Sequence, residues 1–230
     1  MSAKTLVGRK DVRDLDFSPG RLITRPDLAL LIAQVIETWS HIDAAYVALA
    51  SAVLETEPLV ATAMLQAIDN QTTQRAVVLA TAKASLTLKD SRLFTAVSEE
   101  VDAARRARHR FAHHLWGIST QLPESLLTID PKRFNATKAQ WKKWSTQAIK
   151  DGATVFLTRG SEWLLPDVFV WTKKDLSAHV AESLRAHDLV QKLAVMAFMH
   201  FTSSCDALRD TLLSDPAIKR RYLKLQAVAP

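Results

Sequence analysis

The chain has 230 residues, a formal net charge of +6, five glycines and a single cysteine. One cysteine excludes an internal disulfide and favours a reducing compartment, and a glycine content far below the globular average of about 7% indicates much helix. The charged start lacks the apolar core of a signal peptide, and every apolar run is far shorter than the roughly 18 residues of a membrane span. We therefore expect a cytoplasmic protein without membrane contact.

The first half of the chain reads as an arm followed by helices. Residues 1–23 are polar and aperiodic, which predicts an N-terminal arm. Thr24, Pro26 and Asp27 form a helix-start signal, and apolar residues at steps of three and four continue to Val53, ahead of Pro58. A shorter helix over 59–68 and a third one capped by Asn70 follow, and a fourth is predicted from about residue 90 to 115.

The second half mixes strand and helix signals. Residues 118–172 are predicted to be an inserted segment, in which a helix over 135–150 precedes a small hairpin made of TVFLT and DVFVWT. Thr172 and Asp175 form a capping box that opens a long helix to about Leu213. Residues 214–230 are predicted to be a basic tail, and residues 24–213 one mostly α domain, a bundle of four to five long helices with a small β insertion.

The stretch RRARHRFAHHLWG, residues 105–117, concentrates the candidate chemistry at the end of the fourth helix. Arg108 lies on the apolar stripe between Ala104 and Phe111. Burial of an unpaired guanidinium is very costly, so Arg108 requires an acid, a phosphate or an oligomer interface. Gly117 is predicted to be the C-cap of this helix.

Two histidines of this stretch, His109 and His113, are spaced i, i+4 and fall on one side of a helix. Zinc is disfavoured because no acid or cysteine pair accompanies them, so we expect no metal and no other cofactor. Arg108 and His113 diverge by about 140° on an ideal helix and converge on one phosphate only if the last turn frays. Such a pair suits metal-free phosphodiester cleavage, with His113 as the base for a ribose 2′-OH and Arg108 stabilising phosphate charge.

The residues RHRFAH at the end of a fourth helix resemble the Arg-x4–6-His signature of the HEPN superfamily. HHLWG is similar to the ending of many uncharacterised bacterial members, and Trp39 and VFVWTKKDL fit the same subgroup. The resemblance implies an α-helical domain that forms a homodimer and joins two motifs in one cleft. It also implies that Arg108 and His113 are the catalytic pair and that His109 orients them. One toxin subgroup has a tyrosine at the place of Leu115, so regulation through that tyrosine is not expected.

Many members of this family are metal-independent endoribonucleases of toxin–antitoxin, CRISPR-associated or phage-defence systems. The resemblance therefore implies RNA as the substrate and an antitoxin or regulatory protein as a further partner. The alternative is a non-catalytic HEPN-like module that binds RNA or protein, or one that uses the fold only to dimerise, because fold does not dictate function.

Two further segments carry both positive charge and an alternative interpretation. Trp141 and Trp144 flank two lysines in a predicted helix; core packing is the favoured interpretation and stacking on single-stranded RNA the alternative. The residues of KRRYLK in the tail either grip nucleic acid or are solvated, and solvation is the commoner case.

Overall fold

Most residues are helical in the computed structural model, which describes residues 4–6, 12, 14–150 and 165–227. The α-helices in these ranges are α1 (Pro26–Val53), α2 (Pro58–Gln66), α3 (Gln71–Ser85), α4 (Leu88–His113), α5 (Pro131–Lys150), α6 (Lys173–Phe198), α7 (Asp206–Ser214) and α8 (Pro216–Ala227). The strands are β1 (Lys4–Thr5), β2 (Leu115–Gly117), β3 (Ser125–Ile129) and β4 (Phe169–Thr172). The predicted mostly α class is confirmed.

The chain divides into two compact units, residues 1–36 with 107–181 and residues 37–106 with 182–230. The first unit contains all four strands, and the second is built from helical segments. In the part of the chain that the structure describes, no single helix is long and apolar enough to cross a membrane, although α1 and α2 meet those criteria as a bent pair.

A four-stranded antiparallel sheet with the order β1-β4-β3-β2 organises the first unit. Strand β3, one of its two inner strands, is buried along its whole length, including the polar residues Ser125 and Thr128. Thr128 in this strand accepts a hydrogen bond of 2.8 Å from the Trp171 indole, so the buried indole N–H has an acceptor. The core beside the sheet consists of Leu6, Val12, Leu127, Ile129 and Val168.

The N-terminal segment is not a free arm where the structure describes it. Lys4 and Thr5 pair with β4, and Leu6 is 1% exposed. The Asp14 carboxylate accepts hydrogen bonds from Ser119 and Thr120. An open β4 edge would leave backbone groups unpaired, and this segment covers it. A strand of two residues has no periodicity, which is why the sequence pattern missed it.

The predicted hairpin is only partly testable, because TVFLT lies outside the described residues. The DVFVWT segment does form a strand, β4. Its described partners are β3 and β1, with Leu126 opposite Trp171 and Thr5 opposite Phe169.

Local capping chemistry sets several helix starts as predicted. The Asn70 side chain accepts a 2.7 Å hydrogen bond from the Thr72 amide at the start of α3. Thr172 and Asp175 exchange the reciprocal hydrogen bonds of a capping box at the start of α6. The first helix begins at Pro26 as predicted. Thr24 was part of the predicted start signal, but its hydroxyl donates a hydrogen bond back to the Arg21 carbonyl.

The structure corrects two predictions for the second unit, a long helix that continues to about Leu213 and a solvated tail over residues 214–230. Helix α6 ends at Phe198, and the chain turns through His200 and Phe201, each with φ of 51°. Residues 216–227 form α8, whose Ile218 is fully buried and whose Tyr222 is 8% exposed. Asp215 accepts hydrogen bonds from the first amides of α8, so this segment is a docked, capped helix.

Gly117 acts through its lack of a side chain and not as a helix C-cap. It ends strand β2, and a Cβ atom there would lie 2.6 Å from Phe17 Cδ1 and 2.8 Å from the Asp16 carbonyl oxygen. We expect Gly117→Ala to lower the free energy of unfolding by about 1–3 kcal/mol, because this crowding involves backbone. Urea denaturation measures the change. Stability equal to or above the wild type would show that the segment 14–18 yields without cost.

Candidate functional site at the end of helix α4

Helix α4 remains regular through its last turn. It extends to His113, and the next amide, of His114, still donates to the Arg110 carbonyl at 2.9 Å. Arg108 and His113 are five residues apart, which is about 140° around a regular helix. The frayed end that would turn both side chains toward one phosphate within a single chain is therefore not observed.

His109 and His113 are brought together as their spacing predicts. Their ring centroids are 4.6 Å apart with planes inclined by 47°, and both side chains are exposed. The pair therefore presents two adjacent imidazole rings at the surface of the helix. His113 thus has a polar neighbour on its own helix that restricts the orientation of its ring.

Arg108 is half-buried and has no internal acid in the part of the chain described. Its Nε atom is buried without a hydrogen-bond partner. An internal ion pair would have assigned Arg108 a structural role, and none is present among these residues. A buried donor left unsatisfied costs about 1–3 kcal/mol, so this guanidinium is suited to an external acceptor such as phosphate or a second chain.

The neighbouring cation Arg110 is held by the sheet. Its guanidinium carbon lies 4.4 Å from the centroid of the Phe169 ring in β4, a cation–π contact. The His114 ring lies 6.3 Å from the same phenylalanine. These two side chains tie the end of α4 to β4, which the sequence pattern did not reveal.

His114 follows His113 directly in the sequence and has a lowered pKa. Burial lowers the pKa of the half-buried His114, and the negative charge of Asp130 opposes that change only in part. The backbone amide of Lys132 donates to Asp130 at 2.7 Å and holds the pKa of this carboxyl below its usual range. His114 is therefore mostly neutral at neutral pH and is set back from solvent.

Several aromatic rings pack around the buried side chain of Phe111, within the motif. The centroid of the Phe111 ring lies 5.9 Å from the ring centroid of Trp116, 4.8 Å from that of Trp171 and 5.5 Å from that of His179. The Trp116 indole also donates to the Phe111 carbonyl at 3.2 Å. Phe111 lies between the motif residues in sequence, so this packing fixes the rotation of α4 and with it the directions of Arg108 and His113.

Among the described residues, no group of three or more His, Cys, Asp or Glu side chains could hold a metal ion. The arrangement instead offers an unpaired guanidinium, two adjacent imidazoles and additional positive charge from Arg110. Guanidinium and imidazole groups are side chains suited to binding an anion and to transferring a proton. His179 is the one buried histidine that sequence analysis missed, since its contacts come from distant segments.

No protein-family model, no curated protein and no solved structure matches the chain. The description of the candidate site therefore rests on its geometry.

Proposed function

We propose that the protein is a metal-independent endoribonuclease of the HEPN type. The observation that carries this proposal is the state of the motif: Arg108 has no internal acid in the described structure, while His113 is exposed beside His109. A purely structural arginine at this position would be expected to bind a carboxylate of its own chain. The motif therefore has the chemistry and the exposure that an RNA phosphate requires.

In the proposed reaction the imidazole of His113 removes the proton of a ribose 2′-OH. The 2′ oxygen then forms a bond to phosphorus while the bond to the 5′ oxygen of the next nucleotide breaks and that oxygen takes up a proton. The products are a 2′,3′-cyclic phosphate and a 5′-OH end. Arg108 stabilises the negative charge that develops on the phosphoryl oxygens, and His109 orients His113.

A homodimer completes the proposed site. Arg108 and His113 diverge by about 140° on the regular helix, so one chain does not aim both at the same phosphate. In a twofold dimer each motif meets its copy, and Arg108 of one chain faces His113 of the other. The HEPN resemblance implies such a shared cleft, and it also suggests an antitoxin or regulatory protein that restrains the activity.

The second candidate is a non-catalytic HEPN-like module that binds RNA or protein. The same 140° divergence favours it, because binding requires the cation Arg108 but no convergence with a base. On this interpretation the basic residues at the C-terminal end of α4 contact the RNA backbone, and no bond of the RNA is broken.

Incubation of the wild-type protein with a mixed-sequence RNA in EDTA tests the proposal. We expect cleavage, with 2′,3′-cyclic phosphate ends and no change on addition of Mg²⁺. The same incubation with DNA of equal sequence is the control, since DNA lacks the 2′-OH nucleophile. RNA that is bound but left intact by a confirmed dimer would favour the binding module, and cleavage that requires Mg²⁺ would contradict the mechanism.

A further inference from the structure

Helix α8 carries exposed positive charge beside its packed face. Ile218 and Tyr222 are the buried residues of this helix. Lys219, Arg220 and Lys224 are exposed, and the helix contains no acidic residue. In the described part of the chain, none of these three cations forms an ion pair or a side-chain hydrogen bond. Their charge is therefore free to attract an anion from outside the chain.

A cavity of about 390 Å³ lies beside this helix. It is lined by Glu100 of α4 and by four residues of α8, namely Ala217, Arg220, Arg221 and Lys224. The four α8 residues are spaced by three and four positions along the chain, so they share one face of the helix. Sites for small molecules have volumes of about 300–1,000 Å³. The cavity is thus large enough for a small ligand, and most of its lining residues are cationic.

The one acid that lines the cavity already has its charge balanced. Glu100 accepts a hydrogen bond of 2.9 Å at each carboxylate oxygen, one from Arg185 and one from Arg221. Burial by itself would raise the pKa of Glu100, but the hydrogen bonds from the two arginines outweigh burial and lower this pKa. Glu100 is therefore ionised at neutral pH, and it fixes Arg221 in the wall of the cavity.

The acids near the cavity do not cancel its positive charge. Glu99 and Asp215 bind the same two arginines but do not line the cavity. Asp215 also accepts hydrogen bonds from the first amides of α8, and these amides offset part of its charge. Among the lining residues three cations stand against one anion. The charge at the cavity is therefore positive, and Arg220 and Lys224 are the lining cations without an internal partner.

We propose that this cavity binds the phosphate group of a small molecule through Arg220 and Lys224. These residues are one turn apart, a rise of about 6 Å, so both reach one phosphate. The planar guanidinium of arginine matches two phosphate oxygens, and the lysine ammonium is a mobile point charge. A phosphate dianion also equals the two unpaired cations in charge, whereas a carboxylate supplies only half of that charge.

The arrangement favours a small molecule over a strand of nucleic acid. A strand is bound by cations that follow its backbone, but the lining cations of α8 converge on a single cavity. Lys219, the other exposed cation of the helix, lies about 150° from the centre of the lining face. The cavity belongs to the second unit and the motif RRARHRFAHHLWG lies mostly in the first, so this inference does not rest on the proposed ribonuclease.

Isothermal titration calorimetry at constant ionic strength tests the site with three probes: adenosine 5′-monophosphate, inorganic phosphate and adenosine. We expect the monophosphate to bind the wild-type protein and adenosine, which lacks the phosphate, not to bind. Tighter binding of the monophosphate than of inorganic phosphate would identify a phosphate ester as the ligand. Equal binding of the two would identify free phosphate, and both results support the site.

Three variants and two controls locate the binding on α8. Arg220→Gln and Lys224→Gln are each expected to weaken binding of the monophosphate by about tenfold, the usual effect of one hydrogen bond to a charged group. Ala217→Leu fills the cavity without a change in charge and is also expected to weaken binding. Lys219→Gln removes an equal charge from the same helix outside the cavity and is the matched control. Arg108→Ala, in the first unit, is expected to retain the affinity.

Several results would overturn the site. They are an absence of binding by both phosphate probes, an equal loss of affinity in Lys219→Gln, and wild-type affinity in Ala217→Leu. A single-stranded oligonucleotide that binds through Arg220 and Lys224, while the monophosphate does not bind, would assign this face to nucleic acid instead. Thermal melting of each variant without ligand excludes unfolding as the cause of a lost affinity.

Discussion

Replacement of Arg209 by alanine is expected to lower the free energy of unfolding by about 3–5 kcal/mol, because it breaks a buried ion pair from one side. Arg209 is 7% exposed and Asp90 only 3%, and the arginine Nε donates to Asp90 Oδ1 at 2.9 Å. The same guanidinium donates to the carbonyls of Phe201 and Thr202 in the turn after α6. Without it, Asp90 loses its buried cation and keeps the hydrogen bond from the Thr87 hydroxyl, and the Phe201 and Thr202 carbonyls lose the hydrogen bonds from the arginine.

Urea denaturation of Arg209→Ala and Arg220→Ala separates this effect from the loss of any arginine. Arg220 is exposed on α8 and forms no ion pair in the described structure, so its replacement is expected to change stability by less than about 0.5 kcal/mol. Adding Asp90→Asn to Arg209→Ala is expected to recover part of the loss, since it removes the buried charge. Equal stability of the two single variants would show that water replaces the guanidinium at no cost.

Local chemistry in the sequence predicted those helix starts that depend on neighbouring residues. Asn70 caps α3 and the Thr172–Asp175 pair opens α6, because every atom involved lies within three residues along the chain. The break after Phe198 was not predicted. The turn is held by Arg209, whose partner Asp90 is 119 residues away, and no periodicity encodes a contact of that range.

The candidate site shows the same division between local and distant information. The adjacency of His109 and His113 follows from helical spacing and is observed. The contact of Arg110 with Phe169 joins α4 to a strand more than fifty residues later in the chain, and only the sheet register creates it. Gly117 was predicted as a cap from its position after a helix, yet its neighbour is the distant segment at Asp16 and Phe17.

Under the proposed mechanism, Arg108→Ala and His113→Ala are each expected to reduce RNA cleavage by about 10²- to 10⁴-fold, the usual contribution of a general base or a charge-stabilising group. His109→Ala is expected to reduce it less, because His109 acts through the orientation of His113. The exposed His41, in the other unit, supplies the matched control His41→Ala, with cleavage as in the wild type. Rates under single-turnover conditions in EDTA, with dimers confirmed by light scattering, measure these effects.

Mixing the two inactive variants decides how the site is assembled. If Arg108 of one chain acts with His113 of the other, a mixed dimer contains one site with both residues intact and one with neither. Random exchange makes about half of the dimers mixed, so we expect roughly a quarter of the wild-type rate to return. If both residues act within one chain, every site in the mixture lacks one of them and no activity returns. The regular helix at His113 is the reason to expect recovery, since it directs the two side chains of one chain apart.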